Sequence, residues 1–335
     1  MFGNLNMRNK RILYIFIFLI SFNFIFAESV KVVSFNLNGT ARNHRFETSY
    51  QWADEIISIL KKSDADIILL QEVYIPLDKR MDTPYFRKAK KNNVLDYFTS
   101  HLSGYNGVWN YFTSANYMLR KDMKISEELY KSGNNTQNNA LLFNSSKFKA
   151  KDLSEQLNLE DFSGKYKFDK NSIQVIEFSD IKTSSKFVII NVHLPSVDNV
   201  HKLRDLDTLK LLFNSYKIHQ AVIIGGDINI SRKDLMPSYF EFVDGTDSWY
   251  YDKNFGLLTS ISGKKSDGVA FANDFDHFIF SNKVKIITKM MRVNDCLNKT
   301  WYSNIKLGNH TFYNSKEYTK MISDHYPIII EFEID

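Results

Sequence analysis

Six short segments of the sequence place a carboxylate, a histidine or an amide directly beside an apolar run. In Gly225-Gly226-Asp227-Ile228-Asn229 the two polar side chains are two positions apart, so an extended chain would put them on the same face. One supplies a charged acceptor and the other an amide donor, and the glycines allow a ligand to approach the backbone closely. Asp and Asn are also ordinary turn residues, so this segment alone leaves a capped turn as the alternative.

Two further segments join an aspartate to a histidine. Asp324-His325 precedes the final apolar run, and Asp276-His277 opens the run DHFIF. Such a pair combines a hard oxygen ligand for a divalent cation with a group that transfers protons near neutral pH. A loop that carries a surface histidine is the alternative for either pair taken alone.

The remaining three segments end an apolar run in a polar group. Glu72 follows IILLQ, where a carboxylate is costly to bury unless it is paired or bound to a cation. His193 ends KFVIINVH, and Asn36 ends VKVVSFN. A hydrogen-bonded core histidine is the alternative for His193. Because strand ends that gather at one edge of a sheet commonly build sites, the six segments together predict one site.

The apolar runs predict the elements that would hold these groups. β-Branched and apolar runs indicate strands, and apolar residues at helical spacing indicate helices. We expect strands over 30–36, 67–71, 140–144, 173–178, 186–193, 221–225, 275–280 and 328–332, and helices over 48–62 and 200–216. Residues 76–138 give weak signals and are interpreted as loop-rich. Without a repeat or a Pro-rich linker, residues 28–335 are predicted to form one domain with helices outside two sheets.

The composition excludes several classes of protein. Of the 335 residues, 44% are hydrophobic, which is enough for a sizeable core and too many for a disordered chain. The single cysteine, Cys296, excludes an internal disulfide. The formal net charge of +5 is mild for a nucleic-acid-binding protein and carries no information on the fold.

Residues 1–27 have the pattern of a bacterial-type secretory signal peptide. Three basic residues precede an uncharged apolar run from Ile12 to Ala27, which is shorter than the ~20 residues that span a bilayer. Cleavage after Ala27 would remove those three positive charges and lower the net charge from +5 to +2. The sequence therefore predicts a periplasmic or secreted protein, with an uncleaved membrane anchor as the alternative.

In their order along the chain, the six segments resemble the motifs of the endonuclease/exonuclease/phosphatase superfamily. They read SFNLNG, LLQEV, NVHLPS, GGDIN, FDHFIFS and SDHYPI, and the resemblance spans residues 30 to 335. It implies an α/β (α+β) fold, a four-layer α/β/β/α sandwich of two packed mixed sheets with helices outside. The opening VSFNLNG is also similar to exonuclease III-type enzymes. The stretches HLPSVDNVHKLRDL and ISDHYPI, and a histidine at position 193, are more similar to deoxyribonuclease I.

The resemblance implies a metal site. Glu72 corresponds to the main ligand of a Mg²⁺ ion, and Asn36 and Asp324 would complete the shell. Hard oxygen ligands are those that Mg²⁺ prefers, and Mn²⁺ or Ca²⁺ are the alternatives.

The resemblance also implies catalytic residues. Asp227 and Asn229 would position the attacking water and the phosphate, and His193 would be a partner histidine. His325, oriented by Asp276, would act in acid/base catalysis or hold a phosphate oxygen. Asn144 ends a predicted strand where many relatives carry an arginine for phosphate contact.

These roles predict a metal-dependent phosphodiesterase that acts without an obligate protein partner, as a monomer. A nuclease of deoxyribonuclease I type is the first interpretation, with the basic segment 79–91 as a contact for the phosphate backbone. A sphingomyelinase-type lipid phosphodiesterase is the second, because the aromatic-rich segment 294–320 could meet a membrane interface. An inositol-phosphate phosphatase is a further alternative. A binding module without catalysis is disfavoured, since it would have no need of these polar groups.

Overall fold

Two six-stranded sheets form most of the computed structural model. It describes residues 28–37, 49–73, 94–110, 139–154, 173–194, 199–230, 250–251, 260–264, 270–273, 275–281, 283–292, 305–307, 310–312, 323 and 325–334. Their elements, in chain order, are β1 (Val30–Asn36), α1 (Ser49–Ser63), β2 (Ile67–Gln71), α2 (Val94–His101), β3 (Tyr105–Asn110), β4 (Asn139–Asn144), β5 (Phe148–Asp152), β6 (Ile173–Asp180), β7 (Lys186–His193), α3 (Asn199–Lys217), β8 (Ala221–Asp227), β9 (Tyr250–Tyr251), β10 (Ser260–Lys264), β11 (Ala270–Asn273), β12 (Asp276–Phe280), β13 (Val284–Arg292), β14 (Ile305–Leu307), β15 (His310–Phe312) and β16 (Ile328–Ile334).

Both large sheets have the same central arrangement. The strand order is β13-β16-β1-β2-β4-β3 in the first sheet and β5-β6-β7-β8-β12-β9 in the second. The pairs β1/β2 and β7/β8 are parallel, and antiparallel neighbours flank them. Helix α1 lies between β1 and β2 in the chain, and α3 lies between β7 and β8. Because parallel strands end at the same edge of a sheet, each sheet presents two strand ends together.

Apolar side chains of α1 and α3 form two buried clusters, each between a helix and its sheet. On α1 the spacing of Trp52 and Ile56 places both in a buried cluster with Phe35 of β1. On α3, Leu209 packs in a second cluster with Ile224 of β8. Each helix therefore covers the outer face of its own sheet.

The inner faces of the two sheets form the third cluster. It contains Val32 and Leu69 from the first sheet and Phe187 and Ile189 from the second, all completely buried. Alternate residues of each strand point to opposite faces, so one strand serves both the inner and the outer cluster. The order of layers is helices, sheet, sheet, helix, which confirms the predicted α/β/β/α sandwich.

The predicted bounds agree best where an apolar run ends in a polar residue. The bounds of β1, β2 and β7 match to the residue, and those of α1 and α3 differ by one residue at each end. The interpretation of 76–138 as loop-rich was incomplete, because α2 and β3 lie within it. Helix α2 buries Leu95 and Phe98 but is too short for a periodic signal. Strand β3 contains Gly107 and asparagines, so its pairing with β4 forms it rather than its own propensity.

Several predictions concern residues outside the described ranges. These are the signal peptide over 1–27, Asp324, the basic segment 79–91 and most of 294–320. The division into a signal peptide and one domain over 28–335 also stays a prediction. Among the residues that the structure describes, no helix is both long and apolar enough to cross a membrane.

Candidate active site

The ends of the two parallel strand pairs bring polar groups from both sheets to one edge. In the first sheet Asn36 pairs with Gln71, which directly precedes Glu72. In the second sheet His193 pairs with Asp227, and Asp276 lies opposite Asp227 at the start of antiparallel β12. We call this the catalytic edge. It contains every predicted site residue that the structure describes.

The segment before β16 adds His325 to the catalytic edge. Ser323 donates a hydrogen bond from Oγ to the carbonyl oxygen of Asn36 at 2.7 Å, and the His325 backbone N–H donates to the same Oγ at 3.0 Å. The serine therefore ties the histidine to the end of β1. It was not predicted as a site residue, although it begins the SDH segment.

Asp227 lies at the centre of the catalytic edge. Its Oδ2 accepts hydrogen bonds from Nδ2 of Asn36 at 2.9 Å and Nδ2 of Asn229 at 3.2 Å. Nε2 of His193 lies 3.7 Å from the same oxygen, and Nε2 of His325 lies 3.6 Å from it. Burial raises the pKa of Asp227 to about 6, although the two histidines and Asn36 act in the opposite direction. A carboxyl group with such a pKa is suited to exchange protons near neutral pH.

Asp276 and His325 form a hydrogen-bonded pair. Nδ1 of His325 lies 2.8 Å from Oδ2 of Asp276, and both residues are buried. Because a carboxylate only accepts, Nδ1 carries the hydrogen and Nε2 faces Asp227. The predicted orientation of His325 by Asp276 is therefore present in the geometry.

Glu72 lies beside His193. Its Oε1 is 3.5 Å from Nε2 of His193 and 3.3 Å from Nδ2 of Asn36, which donates to it. Sequence patterns did not predict which carboxylate lies beside His193, and the structure places two next to it, Glu72 and Asp227. Glu72 has a left-handed backbone with φ 50°. For a residue other than glycine, such a conformation costs about 1–2 kcal/mol and is often found at functional sites.

The chain turns directly after β8, at Asn229. Asn229 has φ 55°, and its backbone N–H donates to Oδ1 of Asp227 at 2.9 Å. This is the capped turn that stood as the alternative to an extended segment. The two side chains still meet, because Nδ2 of Asn229 donates to Oδ2 of Asp227 at 3.2 Å, and it also donates to the carbonyl oxygen of Leu194 at 2.7 Å. The turn at Asn229 is therefore part of the candidate site.

Gly226 is required for the close approach of β7 and β8. Its φ is 142°, and a Cβ built on it would lie 2.0 Å from the carbonyl oxygen of Val192. Any larger residue would push apart the strands that carry His193 and Asp227. Gly226 therefore allows β7 and β8 to lie close enough together to hold His193 beside Asp227.

Two residues singled out in the sequence lie away from the catalytic edge. His277 follows Asp276 on β12 and points to the opposite face, where Nε2 lies 2.9 Å from the carbonyl oxygen of Ile230. Asn144 lies at the far end of β4, because this strand runs antiparallel to β2. Its Oδ1 accepts a hydrogen bond from the Ser146 backbone N–H, so it caps a turn and does not occupy a phosphate-contact position.

Two groups at the catalytic edge could hold a cation. Asp227, Asp276 and His325 offer ligand atoms within 4.8 Å of one another. This set combines a histidine nitrogen with carboxylate oxygens. Glu72 and Asn36 can offer oxygen, which is what Mg²⁺ prefers, and Asn36 would first have to turn its amide because Nδ2 faces Glu72 and Asp227. The donor chemistry thus fits the predicted pair, whereas Asp324 lies outside the described residues.

Comparison with solved structures shows the same fold in proteins of low sequence identity. Zebrafish TDP2 complexed with a single-strand DNA product is 12% identical, with a TM-score of 0.54 over 91% of this chain and 99% of that one. The human nocturnin catalytic domain with bound sulfate is 16% identical, with a TM-score of 0.51 over 92% and 95%. A mannosyl-6-phosphatase from Bacteroides thetaiotaomicron is 16% identical, with a TM-score of 0.52 over 90% and 99%.

Sequence comparison assigns the family. No curated protein sequence matches significantly. The profile of the Endonuclease/Exonuclease/phosphatase family matches residues 33–325, which include both halves of the catalytic edge. Phosphoric ester hydrolysis is the activity that this family match supports, and enzymes of the family typically depend on a divalent metal. The chain therefore belongs to the Endonuclease/Exonuclease/phosphatase family.

Proposed function

We propose that the protein is a secreted or periplasmic, Mg²⁺-dependent phosphodiesterase, and that it is an endonuclease of deoxyribonuclease I type. The observation that carries this proposal is the position of Asp227 between two histidines. Nε2 of His193 and Nε2 of His325 both lie within 3.7 Å of its Oδ2. Asp276 accepts a hydrogen bond from the other ring nitrogen of His325, Nδ1.

Two histidines on one buried edge suit the needs of phosphodiester hydrolysis. The attacking water must lose a proton as its oxygen bonds to phosphorus, and the departing alkoxide must gain one as its bond to phosphorus breaks. One histidine takes the first proton and the other gives the second, which leaves the pair ready to exchange protons with solvent. Asn229 and Asp227 would hold the water and a phosphate oxygen by hydrogen bonds.

A cation is needed because the catalytic edge is rich in negative charge. Glu72, Asp227 and Asp276 would together repel a phosphodiester anion. Glu72 and Asn36 would hold Mg²⁺, which when bound supplies positive charge to the non-bridging phosphate oxygens. Asp324 remains a predicted third ligand.

Nucleic acid is the substrate that we favour. The zebrafish TDP2 neighbour was solved with a single-strand DNA product. In this chain, the stretches similar to deoxyribonuclease I include the strand end with His193. The basic segment 79–91 remains the predicted contact for the phosphate backbone.

A lipid phosphodiesterase is the second candidate. The aromatic-rich segment 294–320 contains an antiparallel hairpin of β14 and β15, which pairs Ile305 with Phe312 outside the two large sheets. A hairpin of this kind could present aromatic residues to a membrane interface. Phosphomonoesters, including inositol phosphates, form a third group of substrates, since one neighbour is a mannosyl-6-phosphatase.

Release assays on several phosphoesters test the proposal. The purified protein is incubated with plasmid DNA, single-stranded DNA, RNA, sphingomyelin vesicles, inositol phosphates and mannose 6-phosphate, each with Mg²⁺ and with EDTA. We expect nicking of plasmid DNA that EDTA and the variant His325→Ala both abolish. Release from vesicles or from phosphomonoesters, with intact plasmid, would instead identify one of the other two substrate classes.

A further inference from the structure

The catalytic edge is divided between the two sheets. Asn36 and Glu72 belong to the first sheet, whereas His193 and Asp227 belong to the second. The 3.5 Å between Glu72 and His193 is therefore a distance between sheets, and no strand pairing fixes it. Whatever holds the sheets in register at this end also sets the geometry of the site.

The apolar contacts between the sheets do not by themselves fix the register of the sheets precisely. At the far end of the interface, Phe143 of the first sheet packs against Phe178 of the second with ring centroids 5.6 Å apart, and Phe332 packs against Phe187 at 6.4 Å. Apolar burial is non-directional and depends on the area removed from water. Such contacts hold the sheets together but specify their register only through shape.

Directly beneath the catalytic edge the interface changes from apolar side chains to amides. Gln71, Asn139, Gln174 and Asn191 are all completely buried between the sheets, and we call them the amide seam. Nε2 of Gln71 donates to Oδ1 of Asn191 at 2.7 Å, which joins β2 of the first sheet to β7 of the second. Hydrogen bonds are directional, so this contact tolerates little displacement.

Asn191 also bonds to the backbone of the opposite sheet. Its Nδ2 lies 3.2 Å from the carbonyl oxygen of Leu70 and 3.1 Å from that of Ala140. These two residues are paired across β2 and β4, so one side chain spans two strands of the other sheet. In the reverse direction, Nδ2 of Asn139 donates to the carbonyl oxygen of Asn191 at 3.1 Å.

A further bond extends the seam to the sheet margin. Nε2 of Gln174 on β6 donates to the carbonyl oxygen of Val108 on β3 at 3.0 Å. Oε1 of Gln174 in turn accepts a bond from Nδ2 of Asn191 at 3.2 Å. The amides thus form one connected network, in which the sheets are linked through both side chains and backbone.

The seam is adjacent to the site residues in sequence as well as in space. Asn191 lies two positions before His193 on β7, so both side chains point to the same face. Gln71 directly precedes Glu72 and pairs with Asn36. A shift at the seam would therefore pass directly to the carboxylate on one sheet and the histidine on the other.

We propose that Gln71 and Asn191 are positioning residues, whose hydrogen bond sets the separation between the Glu72 half and the His193 half of the site. The proposal rests on the proposed function, because it gives this separation a role in phosphodiester hydrolysis. Neither amide touches the reacting groups. They act through the two sheets that carry them.

The test replaces the paired amides with apolar groups of similar size. Removing both partners leaves neither half of the Gln71–Asn191 bond unsatisfied, although Oε1 of Gln174 loses its bond from Asn191, so we expect the variant Gln71→Met/Asn191→Leu to fold with a lower melting temperature. The matched control is Phe187→Leu, which alters the same face of β7 at the opposite end of the interface. The measurements are the Glu72 Oε1–His193 Nε2 separation in crystal structures, kcat and KM with Mg²⁺, and the melting temperature.

We expect the double variant to widen the Glu72–His193 separation and to lower kcat by about 10- to 100-fold, as a misplacement of about 1 Å does in enzymes. KM should change less. Phe187→Leu should lower the melting temperature by a similar amount yet keep both the separation and kcat. An unchanged separation in the double variant, or an equal loss of kcat in the control, would overturn the proposal.

Two further arms keep the outcome unambiguous. If the double variant does not fold, Gln71→Met alone should also widen the Glu72–His193 separation and lower kcat, by smaller amounts. An unchanged separation and kcat in this single variant would also overturn the proposal. An inactive wild-type protein on every substrate would refute the proposed function. The crystallographic separation would still decide whether the seam sets the geometry.

Discussion

Oδ2 of Asp276 lies 2.8 Å from Nδ1 of His325, and this contact joins the two sheets across the catalytic edge. Asp276 begins β12 of the second sheet, whereas His325 precedes β16 of the first. The carboxylate fixes the orientation of the imidazole with its hydrogen on Nδ1. Nε2 then lies 3.6 Å from Oδ2 of Asp227, toward the centre of the site.

This relationship predicts that Asp276 contributes to catalysis through His325. Asp276→Asn keeps the side-chain volume but removes the charge, so kcat/KM should fall. His325→Ala should cost at least as much, within the roughly 10²–10⁴-fold that a positioned acid or base supplies. The double variant should lose little more than His325→Ala alone.

The measurement is a double-mutant cycle on kcat/KM, with melting curves to show that each variant is folded. His277→Gln is the control, because this neighbouring histidine points away from the site. Losses that simply add in well-folded variants would mean that Asp276 and His325 act independently. The proposed orientation would then be wrong.

Glu72→Gln tests the metal site. The change removes one negative charge with little change in shape, and the Glu72 side chain is only 14% exposed. We expect a higher Mg²⁺ concentration for half-maximal activity and weaker Mn²⁺ binding measured by electron paramagnetic resonance. Glu333→Gln, which removes a surface carboxylate paired with Lys285, should change neither. Activity equal to wild type at limiting Mg²⁺ would reject Glu72 as a ligand.

Much of the scaffold was predictable because its strands are continuous apolar runs that end in one polar group. Asn36 and His193 end such runs, and the predicted bounds of their strands are those observed. The order of these groups along the chain also predicted which of them lie together. Because parallel strands end at the same edge of a sheet, polar groups at the ends of such strands must lie close together.

Contacts between the sheets were not predictable from the same patterns. Gln71 and Asn191 look like polar residues at strand ends, and nothing in their spacing shows that they bond to each other across 120 positions. The pairing of His193 with Glu72 likewise depends on how the sheets pack. The direction of β4, which moves Asn144 to the far edge, depends on a segment whose sequence signals were weak.

Gly226→Ala should destabilise the protein and disturb the site. Its φ of 142° is strained for alanine, and the new Cβ would lie 2.0 Å from the carbonyl oxygen of Val192. Gly104→Ala is the matched control, because Gly104 has φ 85° but no atom within 4 Å of a Cβ. By urea unfolding we expect the control to lose about 1 kcal/mol and Gly226→Ala distinctly more. Equal losses would show that β7 and β8 can separate without cost.

The signal peptide is tested at the amino terminus of the exported protein. Ser29 is fixed to the fold, since its Oγ donates to Glu331 at 2.7 Å and its carbonyl oxygen accepts from Lys147 at 2.6 Å. Cleavage after Ala27 would leave these contacts in place. We expect amino-terminal sequencing of extracytoplasmic protein to begin at Glu28. Full-length chain in the membrane fraction would favour the uncleaved anchor.

Tyr105 predicts how stability changes at alkaline pH. Its hydroxyl donates to the carbonyl oxygen of Ala65, and burial, together with Asp66 and Asp64, raises the pKa of Tyr105 from 10.0 to about 12. A raised pKa means that the folded protein holds this proton more tightly than the unfolded chain, so the stabilisation is complete below pH 10.0 and is lost as pH rises through about 12. Urea unfolding should show wild type more stable than Tyr105→Phe by about 1 kcal/mol at neutral pH, with a difference that shrinks across this range. A difference that stays constant there would show that the hydroxyl titrates alike in the folded and unfolded states.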